Sequence, residues 1–221
     1  MFFSKPLLSK LVNNGGRILY NSLVRNKVKD VFIYSGGSVM PLIDSLYKSD
    51  INYFVNNHEQ NTGHSATGYA KSSDKTGVCM VTSGPGLTNM VTPLLDAKND
   101  STPLVVISGQ VSIEAQGKNS FQEAPSVEIT KPVTKWSHQI KDIHEIEAVI
   151  DKAFYIANEG KKGPVHIDFP KCVSYQNYEP NLVKMYKKQF YANKKKKHKV
   201  FICKDKLKHV AKIINNSKKP I

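Results

Sequence analysis

Two short runs in this sequence are apolar almost from end to end: residues 78–82 (VCMVT) and residues 104–108 (LVVIS). A strand with one face in water alternates apolar and polar residues, so unbroken apolar runs require cover on both faces. Helical patterns stand between such runs. Strands alternating with helices specify a parallel sheet clothed by helices on its two sides. The expected fold class is therefore α/β, a doubly wound parallel sheet.

Further elements fit this frame. Residues 15–28 place Ile18, Leu19, Leu23, Val24 and Val28 at helical spacing. Residues 30–34 (DVFIY) read as a strand that runs into Ser35-Gly36-Gly37, with a helix expected over about 41–47. Residues 51–55 read as a buried strand that breaks at Asn56-Asn57. Asn57 is then the expected N-cap of a helix, with Gln60 as capping-box partner, which puts Glu59 in the first turn. The strand over 78–82 delivers Ser83-Gly84-Pro85-Gly86 and a helix over about 87–98. Residues 111–138 are irregular, yet they hold Phe121, Gln122 and the single Trp136, and an ordered long loop is usually a functional one. An amphipathic helix over 142–158 and a strand over 165–169, opened by Gly163-Pro164 and closed by Pro170, complete the domain near Val173.

The net charge of +14 suggests nucleic acid until it is located. Residues 1–170 hold 17 basic and 16 acidic side chains, whereas residues 171–221 hold 15 lysines against Glu179 and Asp205. The run Lys194 to Lys197 has no Arg or aromatic interleaving, so it reads as a solvated linker rather than a nucleic-acid surface. No apolar run approaches the ~20 residues of a membrane helix. Cys79, Cys172 and Cys203 form no metal or disulfide spacing, which fits a reducing compartment. The expected location is cytoplasmic, with an organelle as the alternative. The expected organisation is a leader (1–14), the sheet domain (15–173), a Lys-rich linker (174–205) and the first helix of an incomplete second domain (206–221).

Four loops thus follow one another on one sheet: Tyr34-Ser35-Gly36-Gly37, His58-Glu59-Gln60, residues 82–89 (TSGPGLTN), and Gly109-Gln110-Val111 leading to Phe121-Gln122-Glu123. With residues 163–171 (GPVHIDFPK), this set resembles the N-terminal, pyrimidine-binding domain of acetolactate synthase, a thiamine-diphosphate enzyme family. The resemblance covers roughly residues 15–173. It implies that Glu59 is the catalytic carboxyl, hydrogen-bonding N1′ of the cofactor's aminopyrimidine and starting the proton relay to its thiazolium carbon. It implies cofactor contacts at Gly36, Gly37, Pro85 and Asn89, and a substrate channel at Phe121, Gln122 and Lys171. The implied reaction joins two pyruvates into 2-acetolactate with release of CO2.

The departures qualify these expectations. Ser35 stands where the family usually has Pro. Lys161 stands where it usually has an Arg that contacts flavin adenine dinucleotide, and a Lys is not equivalent at a forked contact. The Gly-Asp-Gly motif that holds Mg2+ and the diphosphate occurs nowhere in the chain. The implied partner is a second copy, as a homodimer, or a chain that supplies the diphosphate-binding domain, with a small 2-keto acid as substrate. The alternatives are a truncated, non-catalytic domain or dimerisation module, or a relative such as oxalyl-CoA decarboxylase or glyoxylate carboligase.

Overall fold

The computed structural model of the protein describes residues 14–176, 178 and 203–219. The chain divides into two units, Met1–Tyr191 and Ala192–Ile221. In the first, the elements run α1 (Gly15–Arg25), β1 (Asp30–Ile33), α2 (Met40–Asp44), β2 (Asn52–Val55), α3 (Glu59–Ser73), β3 (Gly77–Val81), α4 (Pro85–Thr88) and α5 (Val91–Asn99). They continue with β4 (Leu104–Gln110), α6 (Ser126–Thr130), β5 (Trp136–Gln139), α7 (Ile146–Asn158) and β6 (Pro164–Pro170). In the second unit stands α8 (Lys204–Asn216), with Leu207, Val210, Ile213 and Ile214 exposed.

The six strands form one sheet in the order β2-β1-β3-β4-β6-β5, and every pair is parallel. The period of two along each strand divides the core. Val78, Met80, Val105, Ile107, Val165 and Ile167 face α1 and α7, meeting Leu19, Leu23, Ile146 and Ile150. Cys79, Val81, Leu104 and Val106 face the other way, towards Ala66 of α3 and Leu94 and Ala97 of α5. Each fully buried Leu or Ile contributes about 1.5–3 kcal/mol relative to exposure. Both faces are covered by helices, as the apolar runs require.

The strand order fixes where a ligand can sit. The chain steps outward from β1 to β2, then returns to place β3 on the opposite side of β1. Loops leaving the carboxyl ends of β1 and β3 therefore diverge, and the crevice between them is the favoured ligand position in open α/β sheets.

On the α3 side of β6, the alternate residues are polar. His166 and Asp168 are both fully buried. Ser108 Oγ, Gln110 Nε2 and Gln139 Nε2 lie 3.0, 3.2 and 2.8 Å from the Asp168 carboxylate. A carboxylate only accepts, so these three donate to it. The Ser108 hydroxyl also lies 2.8 Å from His166 Nε2, and His166 Nδ1 lies 2.8 Å from Thr130 Oγ1. Gln110 also accepts from the Val111 N–H and donates to the Ala124 carbonyl. It thereby clamps both ends of the long loop after β4 to the sheet.

Four expectations need correction. The strand over 51–55 is not buried: Ile51 is, but Tyr53, Phe54 and Val55 are 43, 48 and 68 % exposed, because β2 is an edge strand bonded to β1 alone. The helix over 87–98 is broken into α4 and α5 at Asn89-Met90. Residues 111–138 hold α6 and run into a strand, β5, at the other sheet edge. Its half-buried WSHQ carries no apolar run to betray it. The N-cap of α3 is His58 and not Asn57. The leader (1–14, apart from Asn14), most of the linker over 174–205 and the strand approach at Pro220-Ile221 lie outside the described residues.

The network predicts a pH dependence. Burial pushes the His166 imidazole down to about 3, below the ~6.5 of an unfolded chain. As pH falls, the unfolded chain takes up this proton first, so His166's contribution is intact above about pH 6.5 and is lost between there and about 3. Asp168, held above the usual carboxylate range by burial, acts in the opposite sense at the acidic end. From pH 7 to 5 the His166 contribution falls by about 2 kcal/mol. Urea unfolding of His166→Gln should lack that part of the decline. Equal declines in variant and wild type would contradict the assignment.

Candidate active site

Glu59 opens α3 directly beyond the carboxyl end of β2. The turn is set by His58, whose extended backbone and ring nitrogen Nδ1, accepting from the Gln60 N–H at 3.1 Å, cap the helix. Asn57 instead accepts from the Asn61 side chain at 2.7 Å. The Glu59 side chain turns inward and residue 59 is only 7 % exposed. Two features support a buried carboxylate here. It stands at the N-terminus of a helix, where the backbone dipoles favour negative charge. Asn89, at the end of α4, donates Nδ2–H to Oε2 at 2.9 Å. Among the described residues no donor reaches Oε1.

The walls come from the loops after β1 and β3, which are tied by side chains. Ser38 Oγ lies 3.0 Å from Thr82 Oγ1 and accepts from the Ser83 N–H at 2.9 Å. Gly36 lies against Thr82 so closely that a Cβ would stand 2.4 Å from the Thr82 Cβ. A Cβ at Gly86 would stand 2.6 Å from Thr82 Cγ2 and 3.5 Å from Glu59 Oε1. Two glycines thus allow one threonine to draw the loops together beside the carboxylate.

The clamped loop after β4 closes the group. Gly84 has φ +54°, and a Cβ there would meet the Gln122 carbonyl oxygen at 2.6 Å. Gln122 itself has φ +58°, a left-handed conformation that costs a non-glycine residue about 1–2 kcal/mol. Such local strain clusters at functional sites. Gln122 is half-buried, while Phe121 beside it is 86 % exposed.

The structure brings Gly36, Asn89 and, through Gly84, Gln122 to the neighbourhood of Glu59. Pro85 lies in the same turn as Gly86 and is exposed, and Gly37 faces open space. Lys171 is exposed at the carboxyl end of β6. Lys161 is not brought there: it precedes β6 and so lies at the opposite, amino end of the sheet. Sequence reasoning missed Ser38, Thr82 and the Gln110–Asp168 clamp. Hydroxyls in a turn carry no pattern of their own. The polar pair His166 and Asp168 two residues apart in an apolar strand was the available signal for the clamp.

With this geometry in hand, similarity to known proteins is informative. Residues 13–129 match the family described as "Thiamine pyrophosphate enzyme, N-terminal TPP binding domain". The chain belongs to this family. As a thiamine pyrophosphate enzyme domain it is similar to acetolactate synthases. It is 45 % identical over 161 residues to "Acetolactate synthase, mitochondrial" of Schizosaccharomyces pombe, 72 % of this chain and 24 % of that protein. It is 45 % identical over 162 residues to the "Acetolactate synthase large subunit" of Lactococcus lactis, 73 % of this chain and 28 % of that protein. Over 208 residues it is 39 % identical to "Acetolactate synthase, chloroplastic" of Arabidopsis thaliana, 94 % of this chain and 31 % of that protein. The chain spans less than a third of the length of these curated relatives. Among the described residues no helix is long and apolar enough to cross a membrane.

The Thr82 contact yields a paired prediction. Gly36→Ala should destabilise the chain by about 1–3 kcal/mol, since the overpacked Cβ meets a short, buried side chain. Gly37→Ala, one residue on in open space, should stay within about 0.5 kcal/mol of wild type. Denaturant midpoints measure both, and equal effects would contradict the close approach of the two loops.

Proposed function

We propose that this domain is the aminopyrimidine-binding half of an acetolactate synthase, acting on a 2-keto acid. Two pyruvates would give one 2-acetolactate and one CO2. The observation that carries the reading is the Glu59 carboxylate, buried at the carboxyl edge of the sheet, with Oε2 held by Asn89 and Oε1 meeting no donor among the described residues. Similarity to acetolactate synthases supports it.

The residues fit thiamine diphosphate. A flat nitrogen heterocycle needs room against the backbone and a carboxyl that can share a proton with a ring nitrogen. Gly37, which faces open space, and the exposed Pro85 would leave that room, Gly36 would let the loop lie close against Thr82, and Glu59 would supply the carboxyl. When bound, this cofactor supplies the carbon nucleophile and the electron sink for decarboxylation. Glu59 would share that proton on its Oε1 side. Phe121 and Gln122 stand at the rim, and Lys171 offers a cation to the carboxylate of an arriving keto acid. Mg2+ and the diphosphate would be held by a separate domain, in a homodimer or from another chain that supplies it. The exposed Tyr53, Phe54 and Val55 of edge strand β2, next to the start of α3, support a covering partner on this side. Any flavin contact falls to Lys161, which offers a point charge rather than a fork.

The test is acetolactate formation from pyruvate with thiamine diphosphate and Mg2+, using the chain alone and mixed with a separately supplied diphosphate-binding domain. Product is expected only in the mixture, with Glu59→Gln reducing it by about 100-fold or more. Absence of product from folded components would favour a non-catalytic domain instead.

A further inference from the structure

Asn89 is rooted in the same turn that walls the carboxylate. Its backbone N–H bonds the Pro85 carbonyl at 3.2 Å, and the turn begins at Thr82-Ser83, tied to Ser38. Its side chain, half-buried, reaches Glu59 across 30 residues of sequence. The orientation of the amide follows from its partner: a carboxylate can only accept, so Nδ2 faces Oε2.

We propose that Asn89 is a positioning residue for Glu59 and not a cofactor contact: its amide fixes the rotation of the carboxylate so that Oε1 is the oxygen presented to a ligand. A glutamate fixed only by its backbone has three side-chain torsions free to redirect that oxygen. An amide removes this freedom without placing a full cation beside the carboxylate, as Lys or Arg would. The Ser38–Thr82–Ser83 tie then sets how far the amide stands from α3, so the aim of Glu59 is fixed by the loop after β1 as well as by the loop after β3. The proposal rests on the reading of Glu59 as the proton-sharing carboxyl.

Two measurements separate the two ideas. In the ligand-free full chain, the Asn89 side-chain amide signals in nitrogen-15 NMR should move in a pH titration, and that movement should vanish in Glu59→Gln. Amide signals that titrate identically in both, or that do not titrate in wild type, would overturn the positioning role whatever the enzyme does. In the assembled mixture, Asn89→Ala should lower kcat by about 100-fold with KM unchanged, as misdirection of a reacting group does. Added to Glu59→Gln it should bring no further loss, since residues acting as a unit are not additive. An unchanged kcat in Asn89→Ala, where Glu59→Gln is inactive, overturns the positioning role alone. Full activity in Glu59→Gln overturns the reading of Glu59, while the amide titration still decides whether Asn89 holds it.

Discussion

A carboxylate withdrawn from water is costly unless donors meet it, and the fold around Glu59 is arranged to meet it. The residue is 7 % exposed, at a helix N-terminus, with one amide on one oxygen. An arrangement of this kind cannot be local. The helix dipole comes from α3, the amide from the end of α4, and the wall from loops after β1 and β3. Each depends on the parallel register that brings these strand ends to one edge. The sheet thus determines the site through topology: the reversal of direction between β2 and β3 opens the crevice that the loops then line.

Small side chains and hydroxyls do the joining. Thr82 touches Gly36, Gly86 and Ser38, so it couples two loops and the neighbourhood of the carboxylate at once. Gln110 works one strand further along. It holds the start and the end of the loop after β4, and Asp168 holds Gln110. The burial of Asp168 is offset by three donors, and the neutral imidazole of His166 links it to Thr130 of α6. This polar layer replaces hydrophobic packing on part of one sheet face. It holds fixed the loop whose strained Gln122 lies against Gly84.

How much of this was legible depended on the kind of signal. Strands β3 and β4 were visible because burial on both faces leaves an unbroken apolar run, and α7 because its stripe has helical period. The Glu59 turn was visible from its place after a strand, although the cap fell on His58 instead of Asn57. Edge strands defeated the same reasoning in opposite ways. The β2 sequence looks buried but has a neighbour on one side only, and β5 is a strand with too few apolar residues to look like one. The Asn89–Glu59 bond had no sequence signal at all. It spans two helices whose approach is set by the sheet, so only the folded chain states it. The resemblance to acetolactate synthases pointed to both residues but did not say that one holds the other.

The loops after β1 and β3 form one prebuilt frame around Glu59. Hydrogen exchange of the Ser83 amide tests it most directly, since this N–H reaches across to Ser38 Oγ at 2.9 Å. The frame predicts that Ser83 exchanges as slowly as the β3 amides of Met80 and Val81, which open only with the core. Exchange at the rate of an unstructured chain, with those strand amides still protected, would contradict it.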